Sequence, residues 1–93
     1  MNTEIEILRI ITDETRYSII GLLMSGNYCV RALAKRLKIT EAAVSQHLAV
    51  LKKANIVYGE KKGYFTHYQV NKEIITKTLN ALSKKFITSE ENK

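Results

Sequence analysis

The sequence has no proline, no tryptophan, one cysteine and four glycines among its 93 residues. Without proline, element ends have to be read from caps, glycines and hydrophobic period. A single cysteine, Cys29, cannot close an internal disulfide, which points to a reducing compartment and hence to the cytoplasm. The longest apolar run, Ile19–Met24, is far too short to cross a bilayer, so no membrane role is expected. The start, Met1-Asn-Thr-Glu-Ile-Glu6, is acidic and lacks the positive segment of a secretory signal. There is no internal repeat, low-complexity tract or linker. The length fits one small domain, which buries only part of its surface and gains from dimerisation. An apolar share of 45% is ordinary for a globular chain and argues against disorder. No glycine-rich phosphate loop, nucleophile–base pair or metal triad is present. An enzyme is therefore not expected, and neither is a cofactor.

Charge is unevenly spread. The net charge is +6. Residues 31–53 hold Arg31, Lys35, Arg36, Lys38, Lys52 and Lys53 against Glu41 alone, a local net of +5, while residues 1–30 are net −2 and residues 54–93 net +3. An excess centred in the middle of the chain suits a phosphate backbone. The plainer alternative is a lysine-rich surface kept for solubility, which need not concentrate there.

Local signals place the elements. Thr3, with Glu6 three residues on, predicts a capping box and a first helix in which Ile5, Ile7, Leu8 and Ile11 form an apolar stripe. Asp13 caps a second helix over about Glu14–Met24, with Ile19, Ile20, Leu22 and Leu23 on its buried side; Ser25-Gly26-Asn27 ends it. Tyr28-Cys29 reads as a short extended link. It leads into a helix Val30–Leu37 (Val30, Leu33, Ala34 and Leu37 inward) and a tight turn at Lys38-Ile39. Thr40 caps the next helix, which runs to Ala54. There Val44, Leu48 and Leu51 repeat at helical spacing and have to be core, so Glu41, Ala42, Ser45, Gln46 and Ala49 lie outward. Asn55 suits a left-handed position ending that helix. Ile56-Val57-Tyr58 and Tyr64–Val70 alternate as strands around a tip at Lys61-Lys62-Gly63. Asn71 caps a last helix to about Phe86, and the polar tail Thr88–Lys93 is expected to fray.

These elements form a single domain, mainly α with a small β-hairpin wing. The order is helix, helix, strand, helix, helix, strand, strand, helix. This is a winged helix-turn-helix, a device for placing one helix in the major groove of DNA. The first and last helices, residues 1–11 and 71–87, carry apolar stripes for which a compact three-helix core has limited room. Ile5, Leu8, Ile75, Leu79, Leu82 and Phe86 are therefore expected to meet the same helices of a second copy. The alternative is that both helices simply cover their own core. A two-fold homodimer presents two recognition helices about one DNA turn apart, as a palindromic operator requires.

Asp13-Glu-Thr-Arg-Tyr-Ser-Ile-Ile20, then Leu33-Ala-Lys-Arg-Leu-Lys-Ile-Thr40, then Ala43-Val-Ser-Gln-His-Leu-Ala-Val-Leu51, and then the wing, resemble the ArsR (ArsR/SmtB) family of bacterial transcriptional repressors. Either of the two leading motifs alone is weak; in this order they are specific, and the match covers about Ile7–Phe86. The resemblance implies a dimeric winged helix that occupies a double-stranded DNA operator and leaves it when an inducer binds. It also implies base reading from the exposed N-terminal half of the recognition helix, where Thr40, Ala42, Ala43, Ser45, Gln46 and His47 lie. Gln46 can pair bidentately with adenine N6/N7, Ser45 can donate to a base edge or a phosphate, and Ala42 and Ala43 permit close approach to a thymine methyl. The helix N-terminus favours a phosphate, and Glu41 either complements the helix dipole or accepts from a cytosine. Lys35, Arg36, Lys38, Lys52 and Lys53 would position the domain on phosphates, and Lys61 and Lys62 would reach the flanking minor groove or backbone. Each lysine singly reads equally well as part of a solvated face. His47 reads as a structural or phosphate-facing residue, not a metal ligand. Arg16 resembles a family residue that pairs with a carboxylate or a backbone carbonyl.

The inducer is not legible. A soft-metal site of the family uses Cys-Val-Cys at the start of the third helix, where this chain has Cys29-Val30-Arg31. One thiolate cannot make a three- or four-ligand site, and arginine opposes a cation. The last helix lacks the Asp and His that zinc-sensing relatives place there, and sulfur-sensing relatives need two cysteines. Cys29 can act alone by oxidation or by bridging to a partner's thiol; the simpler reading is a small buried apolar residue. His67 faces out from the wing strand or pairs across it. The main reading is thus an operator-binding repressor whose inducer is unidentified, being either lost or different from the usual ones. The competing one is a winged helix that binds an acidic protein partner.

Overall fold

Thr3 opens the first helix with a complete capping box. Its Oγ1 accepts the Glu6 N–H at 3.3 Å, and Glu6 Oε1 accepts the Thr3 N–H at 3.1 Å. The computed structural model describes residues 3–87; the tail expected to fray, Thr88–Lys93, lies outside them. Seven elements follow in order: α1 Glu4–Ile11, α2 Glu14–Ser25, α3 Val30–Leu37, α4 Glu41–Lys53, β1 Val57–Lys62, β2 Phe65–Val70 and α5 Lys72–Phe86. No helix among the described residues is long and apolar enough to cross a membrane.

The apolar period decides which faces meet. Ile7 of α1, Ile19 and Leu23 of α2, Leu33 and Ala34 of α3, and Val44, Leu48 and Leu51 of α4 form one buried cluster with Ile56, Val57 and Val70 at the base of the wing. Two left-handed residues close the helix-turn-helix. Lys38 (φ 60°) ends α3, and Asn55 (φ 63°) ends α4. At Asn55 the ending is a full Schellman motif: the Ile56 N–H donates to Leu51 O and the Asn55 N–H to Lys52 O, both at 2.9 Å. The accompanying apolar contact is supplied by Ile56 and Leu51, both fully buried. This turn fixes the direction in which the chain leaves α4 and starts the wing.

Three expectations need correction. The sheet has two strands, not three. Tyr28 forms only an isolated bridge to Tyr68, whose N–H donates to the Tyr28 carbonyl at 3.2 Å. Helix α3 begins at Val30, which leaves room for one paired residue there. The hairpin turn is also later than expected. Lys61 and Lys62 belong to β1, Lys62 pairs with Phe65, and Gly63-Tyr64 makes the loop. Gly63 has φ +66°, as the first central residue of a type II′ turn requires. Lastly, Asn71 occupies the N-cap of α5 without a side-chain cap bond. Its amide instead donates to Asn55 O at 2.9 Å, and its N–H to Ile56 O at 2.8 Å. The start of α5 is thereby tied to the end of α4.

The terminal helices meet each other and only partly fill the core. Ile7 is buried, and Ile74 and Ile75 pack against the cluster. The buried residue of α5 is Thr78, whose hydroxyl donates to Ile74 O at 2.8 Å and so carries its own partner into the interior. Ile5, Leu79 and Phe86 stay 60%, 58% and 64% exposed. Leu8 and Leu82 are half-buried.

Candidate nucleic-acid interface

Helix α4 is held at its start by Thr40, whose Oγ1 accepts the Ala43 N–H at 3.0 Å. Val44, Leu48 and Leu51 are buried. One turn away on every side, Glu41, Ala42, Ser45, Gln46 and Ala49 are exposed. Ala43 and His47 lie half-buried at the margin. The outward face therefore combines small side chains with one hydroxyl and one amide. That is a surface able to approach base edges closely and exchange hydrogen bonds with them.

The basic residues separate into two groups. Lys35, Lys38, Lys53 and Lys61 are exposed and bond to no protein group among the described residues. Arg36, Lys52 and Lys62 lean on neighbours. Arg36 donates to the Tyr28 hydroxyl at 3.2 Å, with its guanidinium 5.8 Å from that ring. Lys52 Nζ stands 5.9 Å from the Tyr68 ring, and Lys62 Nζ 3.9 Å from Glu60 Oε1. Pleating puts Lys61 and Lys62 on opposite faces of the hairpin. Register places Lys61 on the face of Gly59, Thr66 and Tyr68, the side approached by Lys52 of α4. Lys62 shares the other face with Glu60.

Two features of this region escape sequence reasoning. Tyr64, second residue of the loop, is 99% exposed at the outermost point of the wing; a two-residue Gly-X turn in Lys-Lys-Gly-Tyr-Phe is the signal that locates it. The other is a contact no local pattern reveals. Arg16 of α2 donates from Nε to Ile10 O of α1 at 2.8 Å, and its Nη1 lies 3.2 Å from Nδ1 of His47 on α4. Asp13 Oδ2 stands 4.0 Å from both Arg16 Nη1 and His47 Nδ1. Arg16 thus meets both a carbonyl and a carboxylate.

Asp13 also caps α2, its carboxylate accepting the Arg16 N–H at 3.1 Å. That bond, helped by the Arg16 guanidinium beside it, holds the carboxyl below the ordinary aspartate value, although partial desolvation pushes the other way. A depressed folded-state pKa contributes stability that is present above the unfolded value, near about 3.9, and is lost as pH falls through the folded value. The melting temperature of the wild type should therefore exceed that of Asp13→Asn at pH 6, and the gap should close by pH 2–3. A gap independent of pH would remove the charge of Asp13 from the account.

The remaining candidates are placed as follows. Cys29 is a free, half-buried thiol at the N-cap of α3 and makes no side-chain cap bond. His67 faces Glu60 across the hairpin, half-buried, with Nδ1 buried and unpartnered. Among the described residues no three His, Cys, Asp or Glu side chains converge as a metal-binding group.

A three-helix core with a hairpin wing and an outward-facing second helix defines the winged helix-turn-helix class of DNA-binding transcriptional regulators. Residues 13–58 match the family model described as bacterial regulatory protein, arsR family. The transcriptional repressor SdpR of Bacillus subtilis is 30% identical over 74 residues, 80% of this chain and 82% of that protein. An ArsR-like transcriptional regulator from Rhodococcus sp. RHA1 superposes with a TM-score of 0.82 at 27% identity, covering 92% of this chain and 77% of that one. The homodimeric winged helix-turn-helix domain of a possible ArsR-family regulator from Mycobacterium bovis shares the fold at a TM-score of 0.68 and 20% identity, over 91% of this chain and 79% of that one. The chain belongs to the ArsR family, whose members are DNA-binding transcriptional regulators and not enzymes.

Proposed function

We propose that the protein is a cytoplasmic homodimeric repressor that holds a palindromic operator and releases it when an inducer binds. The observation that carries the DNA-reading part is the outward face of α4. Ala42, Ser45, Gln46 and Ala49 are exposed along it while Val44, Leu48 and Leu51 anchor the opposite side. Lys35, Lys38, Lys53 and Lys61 surround that face and supply phosphate contacts. The dimer is supported by Ile5, Leu79 and Phe86, left exposed on α1 and α5. It is also supported by a radius of gyration of 15.0 Å, well above the roughly 12 Å of a compact domain of this length. Of the relatives named above, one is a repressor and another a homodimeric domain. A single cysteine points to an inducer other than a soft metal held by paired thiolates.

The test is selection of duplexes from fragmented genomic DNA by the purified protein, then a salt titration on the enriched site. An imperfect palindrome is expected, with log affinity falling by about 0.9 per phosphate contact against log salt. Weak binding with no enriched sequence would instead mean that the basic face serves an acidic protein partner, or that binding awaits a missing co-ligand. On the enriched duplex, Gln46→Ala should cost about 1–3 kcal/mol and relax preference at one base position in each half-site. Unchanged affinity and preference would remove Gln46 from the base-reading set.

A further inference from the structure

We infer that Arg16 sets the tautomer and aim of His47, so that the recognition helix presents the His47 Nε2–H as a donor to a DNA phosphate. This rests on the DNA-binding reading above. A guanidinium carries five N–H donors and no acceptor. Arg16 Nη1 lies 3.2 Å from His47 Nδ1, within hydrogen-bond range. Nδ1 is then the acceptor, and the neutral ring carries its proton on Nε2. Among the described residues, Asp13 is the acceptor placed near Nδ1 that would select the opposite tautomer. Its Oδ2 stands 4.0 Å from Nδ1, beyond hydrogen-bond reach, and is already engaged with the Arg16 N–H. The 3.2 Å contact decides.

Arg16 is itself well fixed. Its Nε donates to Ile10 O at 2.8 Å, and its side chain is only 18% exposed. The guanidinium thus spans three helices: a carbonyl of α1, the cap of α2 and a ring on α4. On the other side of that ring, His47 keeps 27% of its side-chain surface, and Nε2 has no protein partner among the described residues. His47 sits at the margin of the outward face of α4, beside Gln46. A donor at the edge of a helix lying in a groove meets the phosphates that flank the groove, not the base edges within it. Arg16 is accordingly a positioning residue. It converts a ring that can donate from either nitrogen into one that donates outward.

The two histidines of the chain, His47 and His67, make the tautomer directly measurable. Long-range proton–nitrogen correlation spectra of the labelled full chain at neutral pH report which ring nitrogen is protonated, and His67→Gln assigns the signals. The expected result is His47 protonated on Nε2 alone. A ring protonated on Nδ1, or on both nitrogens, overturns the inference without touching the DNA-binding reading. Adding a duplex selected by the wild type from a random library should shift the His47 Nε2–H and slow its exchange; an unmoved signal overturns the phosphate contact. Arg16→Lys offers a single ammonium that cannot serve Ile10 O and Nδ1 in the same geometry. It should abolish the tautomer preference and weaken duplex binding about tenfold. The salt slope should stay unchanged, because the donor withdrawn from the phosphate is neutral and displaces no counterion. His47→Phe should weaken binding to the same extent, and the double variant should be within about threefold of either single one. Independent effects multiplying to about a hundredfold would overturn the coupling. Should Arg16→Lys fail to fold, the wild-type spectra and His47→Phe still decide. A wild type that enriches no duplex would sink the DNA-binding reading and the phosphate contact with it, while the tautomer would still read the Arg16–His47 bond.

Discussion

Replacing Leu79 by glutamate is expected to separate the protein into monomers and to lower affinity for its operator by about a hundredfold or more. Leu79 is 58% exposed in the single chain, on the same stripe of α5 as Phe86 at 64% and close in kind to Ile5 of α1 at 60%. A small domain that leaves three large apolar side chains on its two terminal helices has surface still to bury. A carboxylate in the centre of such a contact would be desolvated without a partner, and two-fold symmetry doubles the cost by bringing in the second copy's carboxylate. Operator affinity follows because a dimer holds two half-sites at once. Its second recognition helix binds at an effective concentration that a free monomer does not have, an advantage of about 10²–10⁴. The substitution should leave the monomer folded, since Leu79 contributes little to the buried cluster. Sedimentation velocity, circular dichroism and anisotropy on the selected duplex read the three consequences separately. A dimer that persists with full affinity would place the interface elsewhere.

Much of this arrangement is legible in the amino-acid order because it depends on residues near one another. The Thr3–Glu6 box, the Asp13 and Thr40 caps and the left-handed Asn55 are events within six residues. The inward Val44, Leu48 and Leu51 follow from helical period alone, so the outward face of α4 follows too. Illegible features depend on contacts or on counts of one. Tyr28 pairs with Tyr68 across forty positions through a single bridge, and composition cannot distinguish one paired residue from a short strand. The hairpin loop opens two residues later than expected, at Gly63 instead of Lys61, which makes Lys61 and Lys62 adjacent strand residues on opposite faces. Lys61 and Lys62, read together as a basic tip, therefore look in opposite directions, and the tip is Tyr64. Thr78 reads as polar and so falls outside an apolar stripe, yet it is the buried residue of α5 because its hydroxyl bonds within its own helix. The Arg16–His47 bond joins residues 31 apart in the chain; a motif places both without saying that they touch.

Leu51→Ala is expected to cost about 2–5 kcal/mol, a large share of the roughly 5–15 kcal/mol that stabilises a domain. Leu51 is fully buried and has two duties. Its side chain packs in the cluster shared by α2, α3 and α4. Its carbonyl accepts the Ile56 N–H at 2.9 Å in the turn that sends the chain from α4 into the wing. Truncation keeps the carbonyl but leaves a cavity beneath it and strips Ile56 of its apolar partner. The melting temperature, taken at fixed concentration because a dimer's stability depends on it, should fall by about 10 °C or more. Gln46→Ala makes the decisive contrast, five residues earlier on the same helix. Gln46 is exposed, so its loss should leave the melting temperature within about 2 °C of wild type while weakening the operator complex. Leu51→Ala should do the reverse at temperatures where it remains folded: near-native affinity per folded molecule, on a much less stable scaffold. If Leu51→Ala melts like the wild type, the buried face of α4 is not the one described. If Gln46→Ala lowers stability as much as Leu51→Ala, the helix has no free face to offer DNA. The separation of the two effects along a single helix is what a recognition helix requires, because only a rigidly anchored back lets the front be read by a base.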